Sequence, residues 1–398
     1  MWPFSRRKNN IYLDYAAATP VRPEVLKVMM PLWAEDFGNA SSIHDFGVRA
    51  KKALAAARED VARTLRVRPE DIIFTSGGTE SNNLAIIGSV KSMIASGVSA
   101  SDIEVISSLA EHPSVSKSLE EVGKLGARVT YAPMGNDGRI SPEEFKKLLS
   151  PQTRLVTLAY ANSETGVVED IGKLARLVRA FEKENGLTIS IHTDACQAPL
   201  WLSCGLDSLS VDMMSQDSGK CRGPKGIGIL ARRSRANLIA VSFGGSQENN
   251  LRPGTEPLPL IVGAATALNL AQAEHQQLAA KVSAVRDYFI SHLEKIPEVA
   301  LNGSREHRLA NNINVSLSGT DTEFLVVALA TAGISASTRS ACNGAGAGVS
   351  KAVLEMTGNR ERAMATVRFT LTPDTTKKDV AYTVQIIKDH LRNSKLHN

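Results

Sequence analysis

Cysteine is scarce in this chain, with four residues in 398, at positions 196, 204, 221 and 342. Thiols so few and so widely set match neither a disulfide framework nor zinc-ligand spacing, and reduced thiols in a cytoplasmic protein are expected. Long apolar runs are also missing. The longest apolar-leaning window, LPLIVGAATALNLA at 258–271, stops short of the roughly 18–20 residues that span a bilayer. The first ten residues, MWPFSRRKNN, carry three basic side chains but no apolar stretch after them of the length a secretory signal needs. Neither export nor a membrane partner is expected. Charge of one sign is lacking as well: 46 Lys+Arg against 41 Asp+Glu leave +5, spread along the chain without a basic block, which argues against direct binding of nucleic acid.

What remains is an ordinary globular composition, 43% apolar and 22% charged, at a length that suggests two or three domains. From about residue 50 to 230, short β-branched runs alternate with amphipathic stretches. IIFT (72–75), IEVISS (103–108), RVTYA (128–132), RLVTLAY (154–160), ISIHTD (189–194), VDMMS (211–215) and GIGIL (226–230) are the strand candidates. Strands separated by helical crossovers predict an α/β fold with a mainly parallel sheet covered on both faces. After Thr255 the pattern changes to a long helix (about 257–294), a strand at 311–318, a helix near 322–332, a strand at 366–371 and a terminal helix around 376–392. That pattern predicts a smaller α+β domain. The expected boundaries are 16–256 for the large domain, and 1–15 plus 257–398 for the small one.

Open α/β sheets bind ligands at the carboxyl ends of their strands, and four places there invite chemistry. After strand 72–75 come Ser76, Gly77, Gly78 and Thr79, where free amides at a helix start make a phosphate cradle; an ordinary capped helix with Thr79 at its N-cap is the plainer explanation. In HTDACQ, Asp194 ends a strand and Gln197 follows, a carboxylate and an amide able to hold a heterocyclic ring, or simply another cap. Lys220 lies among small residues in SQDSGKCRGPKGIGIL, a setting in which burial lowers an amine toward Schiff-base chemistry, although most lysines are merely solvated. Cys342 lies in STRSACNGAGAGVSK, too small-sided a segment to bury it well, which makes a nucleophilic role plausible beside the ordinary inert one.

Together the four resemble the cysteine desulfurases of the IscS/NifS type, pyridoxal-phosphate enzymes of the class V aminotransferase fold. The resemblance runs through IYLDYAAATPV (11–21), FGNASSIHDFG (37–47), IIFTSGGTESNNLAI (72–86), AEHPSV (110–115), ANSETGVVEDI (161–171), HTDACQ (192–197), SGKCRGPKGIG (218–228), LRPGT (251–255), STRSAC (337–342) and VRFTL (367–371). It implies the aspartate aminotransferase-like fold of the PLP-dependent transferases. It also implies removal of sulfur from L-cysteine, giving L-alanine and a persulfide on Cys342 for a sulfur-acceptor protein in iron–sulfur cluster, thio-cofactor or tRNA biosynthesis. By the match, Lys220 holds pyridoxal phosphate covalently, Asp194 pairs with the pyridinium nitrogen, Gln197 bonds the ring hydroxyl, and His112 stacks on the ring and shuttles protons. Gly78 and Thr79 hold the phosphate together with Thr255 of a second copy, so a homodimer follows. Arg368 clamps the substrate carboxylate, with Asn39 as helper. No metal is implied.

The resemblance is incomplete at the cofactor. The family's Ser-Gly-His-Lys becomes Asp217, Ser218, Gly219, Lys220 on gapless alignment, putting an aspartate where a serine touches phosphate; a shift by one residue would instead keep Ser218 and Gly219 on the Ser-Gly pair. Ser163 stands where the family has an asparagine that contacts the ring oxygen. Cys221 and Arg222 replace apolar and aromatic residues, and Arg222 is a candidate for the positive charge lost with the histidine. Two alternatives therefore accompany the desulfurase expectation: a degenerate member kept as a dimeric scaffold with weakened cofactor binding, and a related pyridoxal-phosphate lyase or aminotransferase.

Overall fold

Strands covered on both faces carry apolar or small side chains throughout instead of alternating, and Ile72–Thr75, Glu104–Ser107 and Ser190–Asp194 are buried at every position. In the computed structural model, which describes residues 10–338 and 348–396, they lie inside a large sheet. In chain order the first strands are β1 (Ile11–Tyr12), β2 (Ile72–Thr75), β3 (Glu104–Ser107), β4 (Arg128–Tyr131), β5 (Thr153–Ala159), β6 (Ser190–Asp194), β7 (Met213–Asp217) and β8 (Gly228–Arg232). The last seven form one sheet in the order β2-β8-β7-β6-β5-β3-β4. β7, β6, β5, β3 and β4 pair in parallel, whereas β8 runs antiparallel to both of its neighbours. The strand predicted over 211–215 lies two residues later, because β8 carries the antiparallel pairing on to Asp217 opposite Gly228. That shift puts Asp217 at the end of a central strand.

The second sheet is antiparallel. It comprises β9 (Val299–Leu301), β10 (Asn312–Leu317), β12 (Ser337–Thr338) and β13 (Thr366–Thr370) in the order β12-β13-β10-β9, while β11 (Ile334–Ser335) pairs in parallel with β1. The chain start thus joins the later part of the fold: Leu13 and Tyr15 pack in one core with Phe289, Val315 and Phe369. The helix Leu258–Leu293 serves two cores. Leu258, Ile261 and Leu268 pack under the large sheet, whereas Ala271, Phe289 and Leu293 pack with the small one, so this helix sets the two sheets relative to each other. Among the described residues no helix is long and apolar enough to cross a membrane.

Candidate active site

Each of β2, β3, β5, β6 and β7 ends on the same edge of the sheet, and the residues just past those ends line one cavity of about 300 Å³. β2 passes through Gly77, at φ 156°, into the helix Gly78–Ala95. Only a glycine serves at Gly228 on β8, because a Cβ there would lie 2.4 Å from the Gly77 carbonyl carbon. With glycine as its N-cap, the helix has no side-chain acceptor of its own. The acceptor comes from β7 instead: Asp217 Oδ2 takes the Gly78 N–H at 3.1 Å, and Asp217 Oδ1 takes the Gly219 N–H at 2.9 Å.

Asp194 closes β6 and is nearly buried. Its Oδ1 accepts the Cys196 N–H at 2.9 Å and its Oδ2 accepts from Asn82 Nδ2 at 2.8 Å. The same Asn82 nitrogen donates to Ser114 Oγ at 2.8 Å, and Ser114 Oγ lies 2.7 Å from His112 Nδ1. His112 caps the helix Pro113–Lys124, its Nδ1 accepting the Ser114 N–H at 3.1 Å. With Nδ1 acting as acceptor, the neutral imidazole carries its proton on Nε2. A carboxylate at the end of β6 and an imidazole after β3, with β5 between the two strands, are in this way locked into one network.

Lys220 follows β7 in a single 3-10 turn, and its Nζ donates to Ala16 O at 3.0 Å and Ala17 O at 2.6 Å. Gln197 Nε2 donates to the same Ala16 carbonyl at 3.1 Å. Arg368 reaches the cavity from β13 of the small sheet, with Nη2 2.8 Å from Asp14 Oδ1 and Nη1 donating to Ser163 O at 2.8 Å. Beneath the wall, burial pushes the Glu111 carboxyl up to about 8; its Oε1 accepts from Ser108 Oγ and from the Ala159 N–H, both at 3.0 Å.

The cavity therefore gathers Gly78, Thr79, His112, Ser163, Asp194, Gln197, Asp217, Lys220 and Arg368. Other expected residues lie elsewhere. Asn39 is exposed and away from the cavity, its Oδ1 taken by the Ser41 N–H. Thr255 is exposed and also outside it. Ser218 is buried with its hydroxyl against Gly223, and both backbone polar groups of Gly219 are taken, by Asp217 Oδ1 and by Thr19. The side chain facing the cavity is thus that of Asp217. Arg222 does not replace the missing histidine, because it lines a separate cleft with Tyr12, Tyr15 and Lys225. Cys221 is core packing, with burial pushing its thiol up to about 12. Cys342 lies outside the described residues. Sequence reading missed Asn82, Ser114, Glu111 and Cys196. Of these only Asn82 had a usable signal, since it stands one helical turn past Thr79 and so on the same helix face.

The model of the class-V aminotransferase family matches residues 11–382. The chain belongs to the class-V aminotransferase family. It is 39% identical over 382 residues to the cysteine desulfurase IscS of Dictyoglomus turgidum, covering 96% of this chain and 94% of that relative. Among solved structures it is similar to a NifS-like protein at a TM-score of 0.88 and 30% identity, covering 96% of this chain and 99% of that one. It is also similar to SspA in complex with cysteine, at a TM-score of 0.76 and 32% identity, covering 92% and 100%.

The enzymes of the class-V family are pyridoxal-phosphate-dependent, and the residues present fit that group. A lysine amine and a hydrogen-bonded carboxylate face one cavity, with a glutamine and an imidazole beside them, which is the donor set a cationic heterocycle with an aldehyde requires. The phosphate end fits in its amides, since the N-terminus of an 18-residue helix opens on the cavity, although Asp217 already sits there. Among the described residues no group of three or more His, Cys, Asp or Glu is arranged to hold a metal ion.

Proposed function

We propose that this chain is a pyridoxal-phosphate-dependent cysteine desulfurase, which removes sulfur from L-cysteine, releases L-alanine and keeps the sulfur as a persulfide on Cys342. The observation that carries this reading is the convergence of Lys220, Asp194 and Arg368, from two different sheets, on one cavity. The family membership and the relatives named as cysteine desulfurases support it.

Bound pyridoxal phosphate supplies an electron sink that stabilises negative charge developing at the substrate carbon. Asp194, orientated by Cys196 N–H and Asn82, keeps a ring nitrogen protonated by its charge. Gln197, whose amide donates to Ala16 O here, would offer a hydrogen to the ring oxygen. Lys220 is the residue that would hold the cofactor, and its Nζ would serve as the base that moves the substrate Cα proton. Its two carbonyl partners hold the amine at the cavity wall. Arg368 offers its guanidinium fork to the substrate carboxylate, and His112 holds or passes a proton at Nε2. The Cys342 thiolate attacks the substrate sulfur; an S–S bond forms, the C–S bond breaks, and the carbon keeps the electron pair and gains a proton, so cysteine and thiol become alanine and persulfide.

Thr255, exposed on the single chain, completes the phosphate site of a second copy, which makes the working unit a homodimer. The persulfide passes to a sulfur-acceptor protein of the cytoplasm serving iron–sulfur cluster assembly, thio-cofactor or tRNA modification. The assay is alanine and sulfide formation from L-cysteine with a thiol reductant, for wild type, Lys220→Ala and Cys342→Ala. Loss of product in both variants is expected. Undiminished sulfide from Cys342→Ala would identify a lyase acting by direct elimination, and equal behaviour of wild type and Lys220→Ala would leave only a scaffold role.

A further inference from the structure

Asp217 sits where an anion would sit. Its carboxylate accepts from the first amide of the helix Gly78–Ala95 at 3.1 Å and from the Gly219 amide at 2.9 Å. These are the kind of donors, backbone N–H groups at a helix start and in the next turn, that cradle a phosphate. Gly77 leaves room for this approach, since a Cβ there would come within 3.3 Å of Asp217 Oδ2. Among the described residues no ion pair joins Lys220 to this carboxylate, its amine donating to the Ala16 and Ala17 carbonyls. A serine at this position would present a hydroxyl donor to an incoming phosphate. Aspartate presents a charge of the same sign as the phosphate.

We propose that the Asp217 carboxylate is a built-in occupant of the phosphate seat: it caps the helix Gly78–Ala95 in the cofactor-free protein, and the cofactor's phosphate must displace it on loading. The proposal rests on the pyridoxal-phosphate reading of the cavity. Loading then exchanges one anion for another on the same amides. Cofactor affinity is lowered by the lost carboxylate contacts and by any residual repulsion, while the empty site keeps a satisfied helix start. The chain is therefore built to survive without its cofactor and to exchange it.

Two measurements on the full-length protein test this. Pyridoxal phosphate titrations followed by visible absorbance give the Kd of wild type, Asp217→Ser and Asp217→Asn. Inorganic phosphate titrations followed by thermal melting use the cofactor-free proteins. Expected results are a Kd at least about tenfold lower for Asp217→Ser, a melting temperature for its cofactor-free form below that of wild type, and a larger upward shift with inorganic phosphate. Asp217→Asn, which keeps the shape and one acceptor oxygen without the charge, is expected to lie between the two, and it carries the test if the serine variant does not fold. Equal phosphate-induced shifts in wild type and both variants, or tighter pyridoxal phosphate binding by wild type than by either, would overturn the proposal. A wild-type protein that binds pyridoxal phosphate but makes no alanine would end the desulfurase reading and leave this one standing.

Discussion

Asn82 donates to Asp194 Oδ2 at 2.8 Å, from the helix that follows β2 to the carboxylate that ends β6, and the same amide nitrogen reaches Ser114 beside His112. One buried side chain therefore positions both the acid and the imidazole of the cavity. Replacing it by alanine removes a hydrogen bond to a charged group, worth about 1.5–3 kcal/mol. Asn82→Ala is expected to lower the rate of alanine formation by about 10–100-fold and to shift the visible band of the bound cofactor. Asn82→Asp, which sets a second carboxylate against Asp194, is expected to be worse. Steady-state kinetics with absorbance spectra check both.

Arg368 is 4% exposed and paired with Asp14. Removing the arginine leaves the partly buried Asp14 carboxylate, 21% exposed, without its partner and takes the donor from the Ser163 carbonyl. Arg368→Ala is therefore expected to lose both melting temperature and cysteine binding. Arg368→Lys keeps the charge but not the fork, and its signature is a KM for cysteine raised about tenfold with a smaller loss of stability. Calorimetry beside kinetics separates the two effects.

Gly78 has no room for a side chain, since a Cβ would lie 2.4 Å from Cys196 Sγ. Gly78→Ala is expected to lower stability and cofactor affinity, and Cys196→Ala in the same chain to restore part of each. A double-mutant cycle from melting curves should give a coupling of about 0.5–3 kcal/mol.

Glu111 gives a pH dependence with a definite sign. Burial raises its folded value to about 8 from 4.5, so between those limits the folded state holds the proton more tightly than the unfolded one. Its contribution to stability is fully present below about pH 4.5 and is lost as pH rises toward about 8. Glu111→Gln, a neutral isostere, is expected to gain on wild type by a margin that grows from pH 5 to pH 8, up to about 5 kcal/mol at about 1.4 kcal/mol per pH unit. Melting curves of both proteins across that range measure it.

The amino-acid sequence by itself determined the order of strands and helices along the chain, the mainly parallel character of the large sheet and the standing of Lys220 and Asp194 as candidates, whereas Arg368 was singled out only by the family resemblance. The former depend on hydrophobic periodicity and on side-chain chemistry, both of which are local. Even so, β7 was displaced by two residues, because its end is defined by pairing with β8, more than ten residues away in the chain. Asn82 and Ser114 did not stand out, since an asparagine within a helix and a serine at a helix start have everyday uses; their shared link to Asp194 and His112 exists only once β2, β3 and β6 join one sheet with their carboxyl ends on the same edge. Glu111 next to His112 was silent for the same reason, its burial being a property of the packed sheet. The decisive case is Asp217. It stands three residues before the lysine, and two alignments with the family motif left open whether Asp217 or Ser218 turned toward the phosphate end. Folding brings the start of the helix Gly78–Ala95 against the end of β7, and a free amide facing a carboxylate across that contact settles the matter.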